Sequence, residues 1–154
     1  MAKEISSLSA EEKMSGDLER AKQRLAEGRE TCVLVRGDIM YTSTERGVKP
    51  FLDWLAEGTD LRGFSVADRA VGKAAAFLHV LAGVGEVYAP VMSSGAVRVL
   101  RENGVKAIYD LEVDAISNRT KTGTCPMEQA VAAISNPEEA LPAIRKRLAE
   151  LQAG

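Results

Sequence analysis

Residues 86–109 restrict the fold of this chain more than any other segment. Residues 86–91 have the composition of a β-strand, residues 93–103 that of a helix that ends at Gly104, and residues 105–109 that of a second strand. A strand, a helix and a strand within about 25 residues form a βαβ unit, whose strands pair in parallel through a right-handed crossover. The chain is therefore expected to contain parallel strands with a helix packed on them.

The preceding residues predict an antiparallel pair of strands and two helices. Residues 31–36 and 39–43 are rich in β-forming side chains and flank a Gly-Asp pair, which is the pattern of a β-hairpin. Helical patterns follow at residues 48–57 and 66–81. A hairpin and a βαβ unit with helices between them predict a mixed sheet that is covered on both faces.

Length and composition are those of a small soluble domain. The 154 residues suit one domain, and a hydrophobic fraction of 45% suffices for a core. A net charge of −2 gives no basic field that would attract nucleic acid or an anionic membrane. The apolar run 74–84 is interrupted by His79 and is too short for a bilayer, and the charged N-terminus is unlike a signal peptide. We therefore expect a cytoplasmic protein with neither nucleic acid nor membrane as partner, in which Cys32 and Cys125 are free thiols.

The two ends of the chain predict further helices. Residues 8–28 have an amphipathic pattern, with an apolar stripe formed by Met14, Leu18, Ala21 and Leu25. This stripe docks on the rest of the chain or pairs with a second copy, which would make a homo-oligomer. The sequence is accordingly divided into an N-terminal helical extension, residues 1–28, and a single domain, residues 29–154. Two helices are predicted near the C-terminus, at residues 126–134 and 137–151.

A polar loop before the first of these two helices is the strongest candidate for a functional site. Pro126 suits the first position of a helix, so Cys125 is predicted at the N-cap, where unpaired N–H groups and the helix dipole favour a thiolate. An unreactive N-cap is the alternative. Arg119 and Lys121 would clamp a carboxylate or phosphate, or belong to an ordinary solvated loop. The candidate ligand-binding residues of the loop are Asn118, Arg119, Thr120 and Gly123.

Other candidates lie where ligands bind in α/β proteins, beyond the carboxyl ends of strands. Ser93 and Ser94 follow the strand 86–91 at a predicted helix start, where they would bind a polar ligand or only cap the helix.

Asp68 and Lys73 both fall in the predicted helix 66–81, with Ser65 as its cap and Asp68 in a capping box. An ammonium group in an Ala-rich helix needs a carboxylate, a carbonyl or a ligand, or else extends to the rim.

Three blocks of the sequence carry a resemblance to a known family: Tyr41–Ser43 with Arg46–Pro50, Ser65–Asp68 with Val71–Ala76, and Asn118–Thr120 with Gly123 and Cys125–Glu128. They resemble the DUF1893 family, a small uncharacterised prokaryotic family. The similarity covers residues 31–148, so the N-terminal helix lies outside it. The resemblance implies a cytidine deaminase-like fold, which is a three-layer α/β/α sandwich with a mixed sheet.

The resemblance also implies what the chain lacks. Zinc-dependent deaminases of this fold carry His-Ala-Glu or Cys-Ala-Glu at the start of the second core helix, and Pro-Cys-x-x-Cys after the third strand. The nearest positions here are residues 66–68 and 90–94, so Val66, Val91 and Ser94 would replace the three metal ligands. Valine does not bind zinc and serine binds it poorly, so we expect no metal, no cofactor and no zinc-dependent deamination.

Three functions stay open from the sequence. The first is binding of a small polar molecule, nucleotide-like by resemblance, at Asp68, Lys73, Ser93, Ser94 and the loop residues. The second is a metal-independent enzyme in which Cys125 is the nucleophile and Asp68 or Lys73 the acid–base group. The third is an interaction protein that associates through its N-terminal helix or a sheet edge.

Overall fold

The computed structural model of the chain describes residues 14–45, 47–116 and 125–153. It contains six helices and six strands within these residues. In chain order they are α1 (Gly16–Glu27), β1 (Cys32–Arg36), β2 (Ile39–Ser43), α2 (Lys49–Glu57), β3 (Ser65–Asp68), β4 (Ala70–Val71), α3 (Lys73–Ala82), β5 (Glu86–Ser93), α4 (Ser94–Glu102), β6 (Lys106–Val113), α5 (Pro126–Val131) and α6 (Pro137–Ala153).

The strands form one mixed sheet, which confirms the predicted fold class. Strands β2 and β1 are an antiparallel hairpin, and β1 is also antiparallel to β3. Strands β3 and β4 both pair in parallel with β5, which pairs in parallel with β6. The predicted hairpin and the predicted βαβ unit are therefore both confirmed, and β2 and β6 lie at the two edges of the described sheet.

Helices cover both faces of this sheet and make the three layers. On one face, Cys32, Leu34, Val66, Val87 and Met92 of the strands belong to a core that also contains side chains of helices α2 to α6. On the other face, the strand residues Val33, Val35, Ala67 and Tyr88 pack against α1 alone among the described helices.

Helix α1 is held at its apolar stripe and at both ends. Leu18 and Ala21 are fully buried, so the predicted docking of the stripe on the domain is confirmed. At the N-terminal end, Ser15 Oγ accepts a hydrogen bond from Leu18 N (3.1 Å) and donates to the buried Glu86 carboxylate. At the C-terminal end, the Arg69 guanidinium donates to the carbonyls of Leu25 (3.3 Å) and Gly28 (3.1 Å). A negative group at the first end and a positive group at the second complement the helix dipole.

The predicted helix at residues 66–81 is wrong in its first seven residues. Ser65–Asp68 is the central strand β3, and the helix starts only at Lys73. Ser65 is therefore no helix cap, and Asp68 lies in a strand rather than in a capping box. A strand that is buried on both faces has no polar alternation, so its apolar run cannot be distinguished from a buried helix by periodicity.

Other boundaries differ by smaller amounts. Strand β5 runs to Ser93 and β6 to Val113, both beyond the predicted ends, while α5 stops at Val131. Helix α1 begins at Gly16 in the described residues, where Ser15 is its N-cap. Each helix in the described part of the chain is too short or too polar to traverse a lipid bilayer.

Candidate functional site

The candidate site lies at the carboxyl edge, which we define as the sheet edge where the parallel strands β4, β5 and β6 end. Helix α3 starts two residues after β4, and α4 starts directly after β5. Because parallel strands run in one direction, the N-termini of both helices meet at this edge. Ser93 and Ser94 lie there, at the start of a helix as predicted, and so does Lys73, which was predicted inside a helix but lies at the start of α3.

The N-terminus of α3 binds a carboxylate from a distant part of the chain. The backbone N–H groups of Lys73 and Ala74 donate to Glu128 Oε1 and Oε2, each at 2.9 Å. Glu128 lies in the first turn of α5, three residues after Cys125. Two charge-assisted hydrogen bonds and the helix dipole stabilise this contact, so α5 is joined to the start of α3.

The side chain of Lys73 reaches a carbonyl, which confirms one of the partners predicted for it. Its Nζ donates to the carbonyl oxygen of Ala132 at 3.1 Å, at the end of α5. On the way, the aliphatic stem passes Gly95 of α4, where an added Cβ would lie 3.5 Å from the stem. The ammonium group therefore has a hydrogen-bond partner within the protein, and it lies 5.7 Å from the centroid of the Phe77 ring.

Both serines at the start of α4 have partners of their own. Ser93 is the N-cap, and its Oγ accepts from Ala96 N at 3.1 Å. Ser94 Oγ donates to the Val113 carbonyl at 3.3 Å, which joins α4 to the end of β6. The capping role given as the alternative is therefore confirmed for Ser93, while ligand binding at either serine stays a prediction.

Cys125 is the N-cap residue of α5, as predicted, and its thiol is half-buried. Its side chain makes no capping hydrogen bond, and its backbone N–H donates to the Ile116 carbonyl at 3.0 Å. This bond joins the two described residues that flank residues 117–124. The loop candidates Asn118, Arg119, Thr120 and Gly123 lie outside the described residues.

Asp68 is bonded to the other cysteine instead of to Cys125. It stands opposite Cys32 in the β1–β3 ladder, and the Cys32 thiol and the backbone N–H groups of Arg69 and Ala70 donate to it. Burial raises the pKa of Asp68 to about 7, although these donors oppose the rise. Burial and the neighbouring Asp68 also raise the pKa of the Cys32 thiol, so it is a poor nucleophile.

The alignment with the zinc-binding motif is wrong at its first position. Val66 is fully buried in β3 and does not lie at a helix start, where Gly72, Lys73 and Ala74 are found instead. Within residues 14–45, 47–116 and 125–153, no three His, Cys, Asp or Glu side chains are grouped so that they could hold a metal ion. His79 is fully buried in α3, which confirms its prediction as a core residue.

Sequence reasoning missed Glu128 and the role of Gly72. A Cβ on Gly72 would lie 2.5–2.7 Å from the three carboxyl atoms of Glu128, so a side chain at residue 72 would require that carboxylate to move. The sequence carried one usable signal, since Glu128 is an acidic residue in the first turn after Cys125-Pro126. Its partner is more than 50 residues away, and no local pattern reveals it.

The solved structures that are similar to this chain include a close match and a weak one. A crystal structure of a DUF1893 family protein from Thermotoga maritima is 25% identical, with a TM-score of 0.77 over 93% of this chain and 96% of that chain. A diaminohydroxyphosphoribosylaminopyrimidine deaminase/5-amino-6-(5-phosphoribosylamino)uracil reductase from the same organism is 14% identical, with a TM-score of 0.41 over 61% of this chain and 35% of that chain. No curated protein matches this chain.

A family model described as "Domain of unknown function (DUF1893)" matches residues 20–148. The match begins inside α1 and not at residue 31, and the matched residues Ala21 and Leu25 of α1 pack on the sheet. The division of the chain at residue 28 itself stays a prediction. With most of its length matched by the family model, this chain belongs to the DUF1893 family.

Proposed function

We propose that the chain binds a small polar molecule with an acidic group at the carboxyl edge of its sheet. The contact of Glu128 with α3 is the observation that carries this proposal. It joins α5, and with it the N-cap residue Cys125, to the start of α3. Lys73 and Cys125, candidate residues that lie more than 50 positions apart in the sequence, thereby belong to elements that meet at this edge.

The two cations of the loop, which the sequence predicts as a clamp, favour a ligand with an acidic group. The N–H groups of α3 are already occupied by Glu128, and Lys73 Nζ is held by Ala132. We expect Arg119 and Lys121 of the loop to bind the phosphate or carboxylate of the ligand. The nucleotide-like character of the ligand follows only from the family resemblance.

A thiol enzyme is less well supported by the described contacts. Asp68 was the expected acid–base partner of Cys125, but its donors are Cys32 and two backbone N–H groups. Lys73 Nζ, the other expected partner, is bonded to a carbonyl. Nucleophilic chemistry at Cys125 would need an acid–base group that these contacts do not supply.

Differential scanning fluorimetry of the full chain tests the proposal. The probes are nucleoside monophosphates, inorganic phosphate and small dicarboxylates, with the corresponding nucleosides as neutral controls. A probe at 100 times its Kd should stabilise the fold by about 2.7 kcal/mol, which raises Tm by several degrees. Arg119→Gln should abolish the shift, whereas Arg145→Gln, an exposed change on α6, should preserve it. A panel in which no acidic probe raises Tm would contradict the proposal.

A further inference from the structure

Helix α5 is held at both of its ends by the first turn of α3. Near its N-terminus, the Glu128 carboxylate accepts from Lys73 N and Ala74 N at 2.9 Å each. At its C-terminal end, the Ala132 carbonyl accepts from Lys73 Nζ at 3.1 Å. A helix of six residues has little stability of its own, so these three hydrogen bonds and its buried side chains set where it lies.

The backbone conformation of Gly72 does not require glycine, but the space beside its Cα is occupied by the Glu128 carboxylate. Its φ of −100° and ψ of −179° describe an extended backbone that any residue adopts. The observed position of the Glu128 carboxylate, by contrast, depends on the missing side chain, because its atoms would lie 2.5–2.7 Å from an added Cβ. Gly72 and the N–H groups of Lys73 and Ala74 together form a seat that is shaped for a carboxylate.

We propose that Glu128 is the positioning residue of the candidate site. Its carboxylate, seated beside Gly72, fixes α5 at the carboxyl edge and thereby sets how far the Cys125 thiol is exposed. Cys125 caps α5 three residues before Glu128, so a displaced Glu128 moves the cap as well. The consequence for ligand binding rests on the proposed function, but the position of α5 is measurable without any ligand.

Alkylation of Cys125 by iodoacetamide measures this position in the full chain. Cys32 is 1% exposed, and Cys125→Ser serves as the blank that assigns the signal to Cys125. Glu128→Ala should speed the alkylation about tenfold, since the charge-assisted bonds that hold the cap are lost. Glu138→Ala, which removes an exposed carboxylate from the first turn of α6, is the matched control and should leave the rate unchanged.

Chemical rescue separates a carboxylate seat from a merely structural glutamate. Acetate added to Glu128→Ala should return the alkylation rate towards that of the wild type, whereas neutral acetamide should not. In the double variant Gly72→Ala/Glu128→Ala the new methyl group fills the seat, so acetate should have no effect. Glu128→Gln keeps the shape but places an amide against N–H donors, and it should also speed the alkylation.

An unchanged alkylation rate in folded Glu128→Ala and Glu128→Gln would overturn the proposal, as would equal rescue by acetamide. Circular dichroism and Tm establish that the variants are folded, and Glu128→Gln supplies the result if Glu128→Ala does not fold. Failure of all acidic probes to bind, with the rescue intact, would refute the proposed function and leave Glu128 as the positioning residue.

Discussion

His79 is a neutral histidine in the core of the molecule. It is fully buried in α3, its Nδ1 is bonded to the Ala75 carbonyl, and its ring centroid lies 4.3 Å from that of Phe51. Nε2 has no partner among the described residues. Burial lowers the pKa of His79 to about 4, from an ordinary value of 6.5, because the charged ring would lose its water.

This histidine should make the fold acid-sensitive. Between pH 6.5 and 4 the unfolded chain binds a proton that folded His79 does not, so stability falls as the pH falls through this window. Through His79, the free energy of unfolding should fall by about 2–3 kcal/mol between pH 7.5 and 4.5. His79→Leu should lack this component in urea unfolding at the two pH values. A difference between variant and wild type that stays constant with pH would contradict the assignment.

Asp68 should have the opposite effect on stability. Its folded pKa of about 7 lies above the ordinary 3.8, so the folded state holds a proton that the unfolded state has lost. Stability is therefore lost as pH rises from about 4 through about 7. Asp68→Asn removes this loss, and because the side chain keeps some contact with water we expect a relative gain of roughly 2 kcal/mol from pH 4.5 to 8.

Unfolding in urea across this pH range measures the gain. Asp53→Asn is the control, because Asp53 is a half-exposed carboxylate paired with Lys49 on α2. It should show no such trend. A wild-type stability that rises between pH 5 and 7 relative to Asp68→Asn would show that Asp68 is charged in the folded protein.

Among the elements, helix α1 covers one face of the sheet, and its attachment there depends on the burial of its apolar stripe. Leu18 is fully buried against the strands, whereas Leu151 on α6 is 44% exposed. Leu18→Ala should lower the free energy of unfolding by about 3 kcal/mol, since it leaves a cavity between helix and sheet. Leu151→Ala should change it by less than about 0.5 kcal/mol. Equal effects in denaturant unfolding would mean that α1 is not docked.

At the scale of the whole molecule, α1 is the helix that covers this face of the sheet among the described residues. Removal of residues 1–28 uncovers Val33, Val35, Ala67 and Tyr88, which are 0–3% exposed in the full chain. The truncated protein should therefore aggregate, whereas the full chain should show one defined mass in light scattering. A soluble and folded truncated monomer would support the division of the chain into an extension and an independent domain.

The local patterns of the sequence were enough for most elements and for the class of the fold. The Gly-Asp hairpin and the strand–helix–strand spacing of residues 86–109 depend on neighbours in the chain, so they could be predicted without coordinates. Pro126 placed Cys125 at its N-cap for the same reason. Family blocks added the three-layer arrangement.

The tertiary structure decided the strand and the long-range contacts that local sequence patterns cannot predict. The strand Ser65–Asp68 is buried on both faces, and the absence of alternation hid it inside a predicted helix. The partner of Asp68 was decided by the ladder that puts Cys32 opposite it, and that of Glu128 by the packing of α5 on α3. Periodicity and capping are patterns within a few residues, but the backbone N–H groups that bind the Glu128 carboxylate lie more than 50 positions before it in the sequence.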